Sequence, residues 1–285
     1  MSWTQSQNWR PSSAKPLRRA FLVAVMLCVC TSTAAAVELK PETIQAFDRY
    51  IAAVEARLEP CWRGRHFLWF AGSPGVREQL RAGAIVTQAG QGNGIVAVKD
   101  GMIQDQMGAV FIPDTNLKRV LALVQDYNRD SVYYKPDVIH ARIESRTGDR
   151  FLVRARVIKA KLFLSDVLDI DNDIQFFPLD ARRVYSRSIS RRVAEVSRPG
   201  KPHEHELPVG RDRGLLWRIN GYWFFEEADG GVYVTCESVT LTRDVPFLMS
   251  TLLSPLIHEL PAEAVRTSLD ETRRAVMSAA RDSEP

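Results

Sequence analysis

Several groups of residues in this chain have the types and spacing to do chemistry. His203-Glu204-His205-Glu206 sets two imidazoles and two carboxylates in consecutive positions. On a strand, His203 and His205 share a face and could both reach one metal ion. No spacing elsewhere supplies a third ligand, and Pro202 and Pro208 flank the segment, so it reads as a polar loop and no metal is expected. Asp169-Ile170-Asp171-Asn172-Asp173 begins like a calcium loop, but Ile174 stands where the sharp turn needs Gly and Asp180 where a bidentate Glu belongs. Its alternation suits an acidic strand face. Gly90-Gln91-Gly92-Asn93-Gly94 lacks the Lys-Ser/Thr and the following helix of a phosphate cradle and reads as a hairpin turn. There is no Gly-x-Ser-x-Gly elbow and no His-Glu-x-x-His. His140, Tyr222 and Glu237 are acid–base candidates only if the fold brings them together. No cofactor is expected.

A second set suits ligand binding rather than catalysis. Arg154 and Arg156 lie two apart on a strand and share a face, as do Tyr185, Arg187 and Arg191. Facing a cavity, these guanidinium groups could clamp a carboxylate or phosphate. Facing solvent, they would pair with Asp169, Asp171 and Asp173 across the sheet. Trp217, Ile219, Trp223 and Phe225 alternate along one face of a strand around Gly221, with Arg218, Asn220, Tyr222 and Phe224 on the other. One face is expected to pack on the N-terminal helix and the other to line a pocket. With Leu269 of the C-terminal helix, the candidate ligand residues are Arg154, Arg156, Tyr185, Arg187, Trp217, Tyr222 and Trp223.

The elements that must position them follow an address-like start. Arg18-Arg19, an apolar run Ala20–Cys30 and an Ala-rich end at Ala36 are the parts of a secretory signal. The run is too short for the roughly 20 residues of a membrane-spanning helix. Cleavage near Ala36 and a periplasmic or secreted location are expected. Residues 1–36 hold four of the 38 basic residues and none of the 34 acidic ones, so the remainder is balanced, 34 against 34. A neutral chain has no global field to gather nucleic acid. Cys61 and Cys236 remain after processing. In an oxidising compartment they allow one disulfide, or each is a small buried hydrophobe.

Beyond Ala36 the pattern predicts an amphipathic helix from Pro41 that Pro60 ends, and an irregular aromatic segment 61–82 that must pack on something larger. Strands are predicted near 85–86, at 95–98 and at 102–112, then a helix through Leu117–Val124 capped by Asp114 or Thr115. Long strands follow at 138–146, 151–164, 166–177, 182–197, 214–227 and 231–243, the last two joined at Asp229-Gly230. The end is helical, interrupted at Pro255 and restarted at Pro261, with Val265, Leu269 and Val276 turned inward.

The stretch Gly108–Tyr127, followed by Tyr133-Tyr134-Lys135-Pro136-Asp137-Val138, resembles the opening of the START-like, polyketide-cyclase-like proteins. Trp217–Glu226 and the helix at 246–260 suit that fold's late strands and closing helix. The resemblance spans about 101–282 and implies an α+β helix-grip fold: a curled antiparallel sheet around a long C-terminal helix, with an internal hydrophobic pocket. The coenzyme Q-binding and lipid-transfer branches are the nearest analogues. The expected organisation is a signal at 1–36, an added N-terminal segment at 37–100 and a START-like domain at 101–282. The function expected is an exported carrier of a hydrophobic small molecule, lipid- or quinone-like. The alternatives are a cyclase- or hydrolase-type enzyme using polar residues in the same cavity, or an interaction module whose N-terminal helix fills it.

Overall fold

The computed structural model describes residues 37–161, 164–212, 216–243 and 247–281. Helix α1 (Pro41–Trp62) starts at a proline and buries Phe47, Val54 and Leu58 along one stripe. Pro60 lies inside its last turn rather than beyond it. The segment after it is not wholly irregular, because Ser73-Pro74 opens a short helix, α2 (Pro74–Arg81).

Ten strands form one antiparallel sheet in the order β2 (Val86–Ala89), β4 (Gly101–Pro113), β12 (Gly231–Arg243), β11 (Arg218–Ala228), β8 (Arg183–Ser197), β7 (Leu164–Pro178), β6 (Arg150–Lys161) and β5 (Val138–Thr147). Strand β3 (Ile95–Val98) also pairs with β4, and β9 (His205–Glu206) pairs with β8. Strand β1 (Val37–Glu38) pairs apart from the sheet with β10 (Arg211–Asp212). The Gly90–Gly94 segment is not a hairpin turn. Strands β2 and β3 pair with successive stretches of β4, and the loop between them arches over Asp105. A Cβ on Gly90 would fall 2.0 Å from Asp105 Oδ1, and one on Gly94 2.1 Å from Gln106 Nε2, so the glycines serve close packing.

Helix α3 (Leu117–Val124) is capped one residue later than expected, by Asn116, whose Oδ1 accepts the Arg119 N–H at 3.0 Å. A 3-10 turn and α4 (Asp130–Tyr133) lead into β5. The C-terminal helix is continuous, α5 (Phe247–Arg281), 35 residues long. Pro255 and Pro261 each lack a donor, yet neither breaks it. Each proline removes a single backbone bond, and packing against β4 holds the C-terminal half.

The sheet is covered on both faces. Its inner face meets α3 and α5, with Val110, Ile112, Val120, Phe151, Phe176, Phe225, Val234, Val265, Leu269 and Val276 in one core. Its outer face meets α1, α2 and the aromatic segment, with Phe47, Val54, Phe67, Phe70, Phe111, Tyr222, Phe224, Tyr233 and Leu241 in a second. Phe67 packs edge-on against Phe224 at 5.4 Å, and Phe70 lies tilted against Tyr233 at 5.6 Å. A third cluster, Leu168, Ile170, Val193 and Leu216, lies on the inner face nearer β6 and β7.

Helix α5 packs closely on the sheet at Gly108. A Cβ there would lie 2.6 Å from Val265 Cγ1 and 2.7 Å from Leu269 Cδ1. Two consequences are testable by urea denaturation. Leu269→Ala should cost about 2–5 kcal/mol, the range for truncating a fully buried leucine. Gly108→Ala should destabilise more than Gly221→Ala, because a Cβ at Gly221 meets nothing nearer than 3.6 Å.

Candidate functional site

Strand pairing aligns three rows of inner-face residues across the middle of the sheet. One row runs Gln106, Ser238, Gly221, Ser188, Ile174; on one side lies Gly108, Cys236, Trp223, Ser186, Phe176. On the other lie Gln104, Thr240, Ile219, Ser190 and Asn172, where the Ser190 hydroxyl accepts the Ile219 N–H at 2.9 Å. Gln104, Asn172, Ser188, Ile219, Gly221, Trp223, Ser238 and Thr240 are only half-buried, while Ile103, Asp105, Tyr222, Phe224, Val239 and Leu241 on the outer face of the same strands are buried. Over β4, β12 and β11 the sheet is therefore buried on its outer face and only half-buried on its inner one. The patch is small and polar, and apolar clusters bound it at both ends. Such a floor, polar at its centre with apolar walls, is what a small-molecule site requires.

Two of the candidate ligand residues lie on this face. Trp223 stacks on Phe225 at 6.3 Å beside Gly221, and Leu269 is fully buried over Gly108. The others lie outside. Tyr222 is buried beneath α1 and donates its hydroxyl to Glu55 Oε1 at 3.1 Å, while Arg187 Nη1 lies 3.5 Å from Glu55. Tyr185 is sandwiched between Trp62 and Phe177. Trp217 does not share a face with Trp223. It precedes β11, so the alternation does not reach it, and its indole N–H is tied to Asp212 Oδ1 at 3.1 Å within the outer core.

Arg154 and Arg156 point away from α5 and pair across the sheet. Arg156 makes two 2.7 Å bonds to Asp169, Arg154 reaches Asp171 at 2.8 Å, and Arg150 reaches Asp173. A bulge between β7 and β8 leaves Arg191 opposite no residue, so Arg191 and Arg192 both reach this row, to Asp173 and Asp171. Glu204 and Glu206 join it through Arg156 and Arg192. The carboxylates of the His-Glu-His-Glu segment are thus tied to arginines, and no metal-holding group of three occurs among the described residues. His140 sits exposed on β5, far in the strand order from Glu237 and Tyr222, which face each other on β12 and β11 of the outer face. Cys61 on α1 and Cys236 on the inner face lie on opposite sides of the sheet and are both free.

The serine row was missed by sequence reasoning. Its signal is Ser186-Arg187-Ser188-Ile189-Ser190, a small hydroxyl at every second position of a strand.

No family model matches the chain, and no curated protein matches it. Solved structures do. It is similar to a protein of Thermus thermophilus (20% identity, 61% of this chain and 97% of that one, TM-score 0.43). A STAR-related lipid transfer protein from Xanthomonas axonopodis matches at 14% identity over 65% and 99% of the two chains (TM-score 0.43). The Zhui aromatase/cyclase from Streptomyces sp. R1128 matches at 16% over 61% and 94% (TM-score 0.37). The antiparallel sheet packed on the long helix α5 is an α+β architecture.

Under α1, the sheet carries a second polar group. Asp105 and Glu237 sit diagonally on β4 and β12, both buried on the outer face. The Tyr50 hydroxyl donates to Asp105 Oδ2 at 2.7 Å, and Arg57 pairs with Glu237. Burial, and then the neighbouring Asp105, push Glu237 up to about 8; burial also raises Asp105. A carboxyl whose folded pKa is raised stabilises the fold fully below its unfolded value, and that contribution is lost as pH rises through the folded value. For Glu237 the window runs from about 4.5 to about 8. Stability of the wild type relative to Glu237→Gln should fall across that window by up to about 1.4 kcal/mol per pH unit and level off above it. Denaturant titrations of both proteins from pH 5 to 9 measure this; a constant difference would mean that Glu237 is ionised throughout.

Proposed function

We propose that this protein binds and carries a hydrophobic small molecule in the recess between the inner face of the sheet and α5. The half-buried floor around Gly221 carries this reading: central strands buried on one face are only half-buried on the other, beneath a helix and between two apolar clusters. Burying an apolar ligand there removes the remaining exposed area of Trp223 and Ile219 from water. The reading includes export, directed by residues 1–36, which lie outside the described residues. No helix among the described residues is long and apolar enough to cross a membrane. Helix α1 occupies the outer face and leaves the inner recess free of it. The serine floor does not gather the acid and base that a cyclase or hydrolase needs.

Titration of the delipidated protein with an apolar ligand such as monoolein should change tryptophan emission and give a negative binding heat capacity. The emission change should vanish in Trp223→Phe and persist in Trp217→Phe. Gly221→Leu should abolish binding and leave the unfolding midpoint close to wild type, because the added side chain projects over the floor. Binding that survives Gly221→Leu would place the ligand elsewhere.

The export part is checked by N-terminal sequencing of protein recovered outside the cytoplasm. A start near Val37 is the expected result, and a start at Met1 would remove it.

A further inference from the structure

The charges of the sheet are sorted by face. Arg150, Arg154, Arg156, Arg187, Arg191 and Arg192 all engage acids of the outer face or its helix. Among the described side chains, those on the inner face of β4, β7, β8, β11 and β12 include neither lysine nor arginine; on β6 that face continues by register to Lys159, which pairs with Asp166, six residues along β7 from Asn172. The ionisable members of those described side chains are the acids Glu195 and Glu227 and the thiol of Cys236, and burial raises Cys236 so that it stays neutral. Glu227 already accepts the Leu117 N–H at 2.7 Å.

The floor itself offers hydroxyls and amides: Ser186, Ser188, Ser190, Ser238, Thr240, Gln104, Gln106 and Asn172 supply its hydrogen-bonding groups. Each hydroxyl both donates and accepts, and each amide does both through different atoms. Two costs then bracket the ligand. A carboxylate or phosphate laid on this floor would lose its water and meet no cation among the described floor side chains. A pure hydrocarbon would strip water from Ser188 and Ser238 and return no hydrogen bond.

Taking the carrier reading as its basis, we infer that the recess selects an uncharged, oxygen-bearing hydrophobic molecule, one that presents hydroxyl or carbonyl groups to the Ser188–Ser238–Thr240 floor and carries no anionic head. This is the opposite of an arginine clamp. The guanidinium groups that sequence spacing offers for such a clamp are spent on the outer face.

The test uses matched pairs on two skeletons, monoolein against oleate and pregnenolone against pregnenolone sulfate. Each is titrated into the delipidated full chain by calorimetry at pH 7. In at least one pair the neutral member should bind tenfold or more tightly than its anion. Ser188→Ala and Ser238→Ala should each weaken that neutral ligand severalfold, about fivefold for the loss of one ordinary hydrogen bond, without moving the unfolding midpoint. Less than tenfold preference for the neutral member in every pair that binds, or neutral binding indifferent to both serine substitutions, would overturn the inference and leave the carrier reading standing. If none of the four compounds binds, the carrier reading itself falls and takes this inference with it.

Discussion

Strand β4 is buried along nearly its whole length on both faces, and the rest of the molecule is arranged around that constraint. Its inner face must admit α5 at backbone distance, which Gly108 permits. Its outer face must admit α1 over Asp105, and its edge accepts β2 and β3 in turn. A strand hemmed in this way cannot shift register without exchanging its two faces. Fixing β4 fixes β12 beside it, and through β12 the floor residues Ser238 and Thr240.

From this comes a division of labour along α5. Its C-terminal half closes against the sheet through Val265, Leu269 and Val276 and behaves as ordinary core. Beyond that contact the inner face changes from Ile112, Val110 and Gly108 to Gln106 and Gln104, and the neighbouring strands supply serine, threonine and glycine instead of large apolar side chains. Space on this face is thus made by side-chain size. Where leucine, valine and phenylalanine meet, the core is filled to crystal-like density; where small hydroxyl residues meet, it is left partly open.

The polar residues of the outer face solve a different problem. Along β6, β7 and the part of β8 away from α1, arginines and acids pair on this face in a row that neutralises itself. Exposed pairs of this kind add little each, but they keep guanidinium groups out of the sheet interior. Under α1 the same face is dry, and there the pairing is sparse and specific: Tyr50 with Asp105, Arg57 with Glu237, Glu55 with Tyr222. Removing one partner would leave a buried polar group unpaired, so these contacts specify where α1 sits more than how strongly it is held.

By itself the sequence determined the long strands, the Asp229-Gly230 turn, a helical C-terminus and its inward residues Val265, Leu269 and Val276, because these depend on local periodicity and on turn geometry; it misread the Gly90–Gly94 loop as a hairpin. It also determined that Trp223 and Gly221 share a face, since alternation along one strand is a local rule. Tertiary structure decided which face was inside. Arg154, Arg156 and Arg187 satisfy the spacing of a ligand clamp equally well in either orientation, and only the packing of α5 on one side and α1 on the other breaks the tie. It decided that Trp217 parts company with Trp223, because Asp212 and the start of β11 lie outside any local pattern. The bulge at Arg191, the continuity of α5 through Pro255 and Pro261, and the meeting of Asp105 with Glu237, Tyr50 and Arg57 were likewise settled by partners distant in sequence. Such contacts leave no trace in the spacing of the residues that make them.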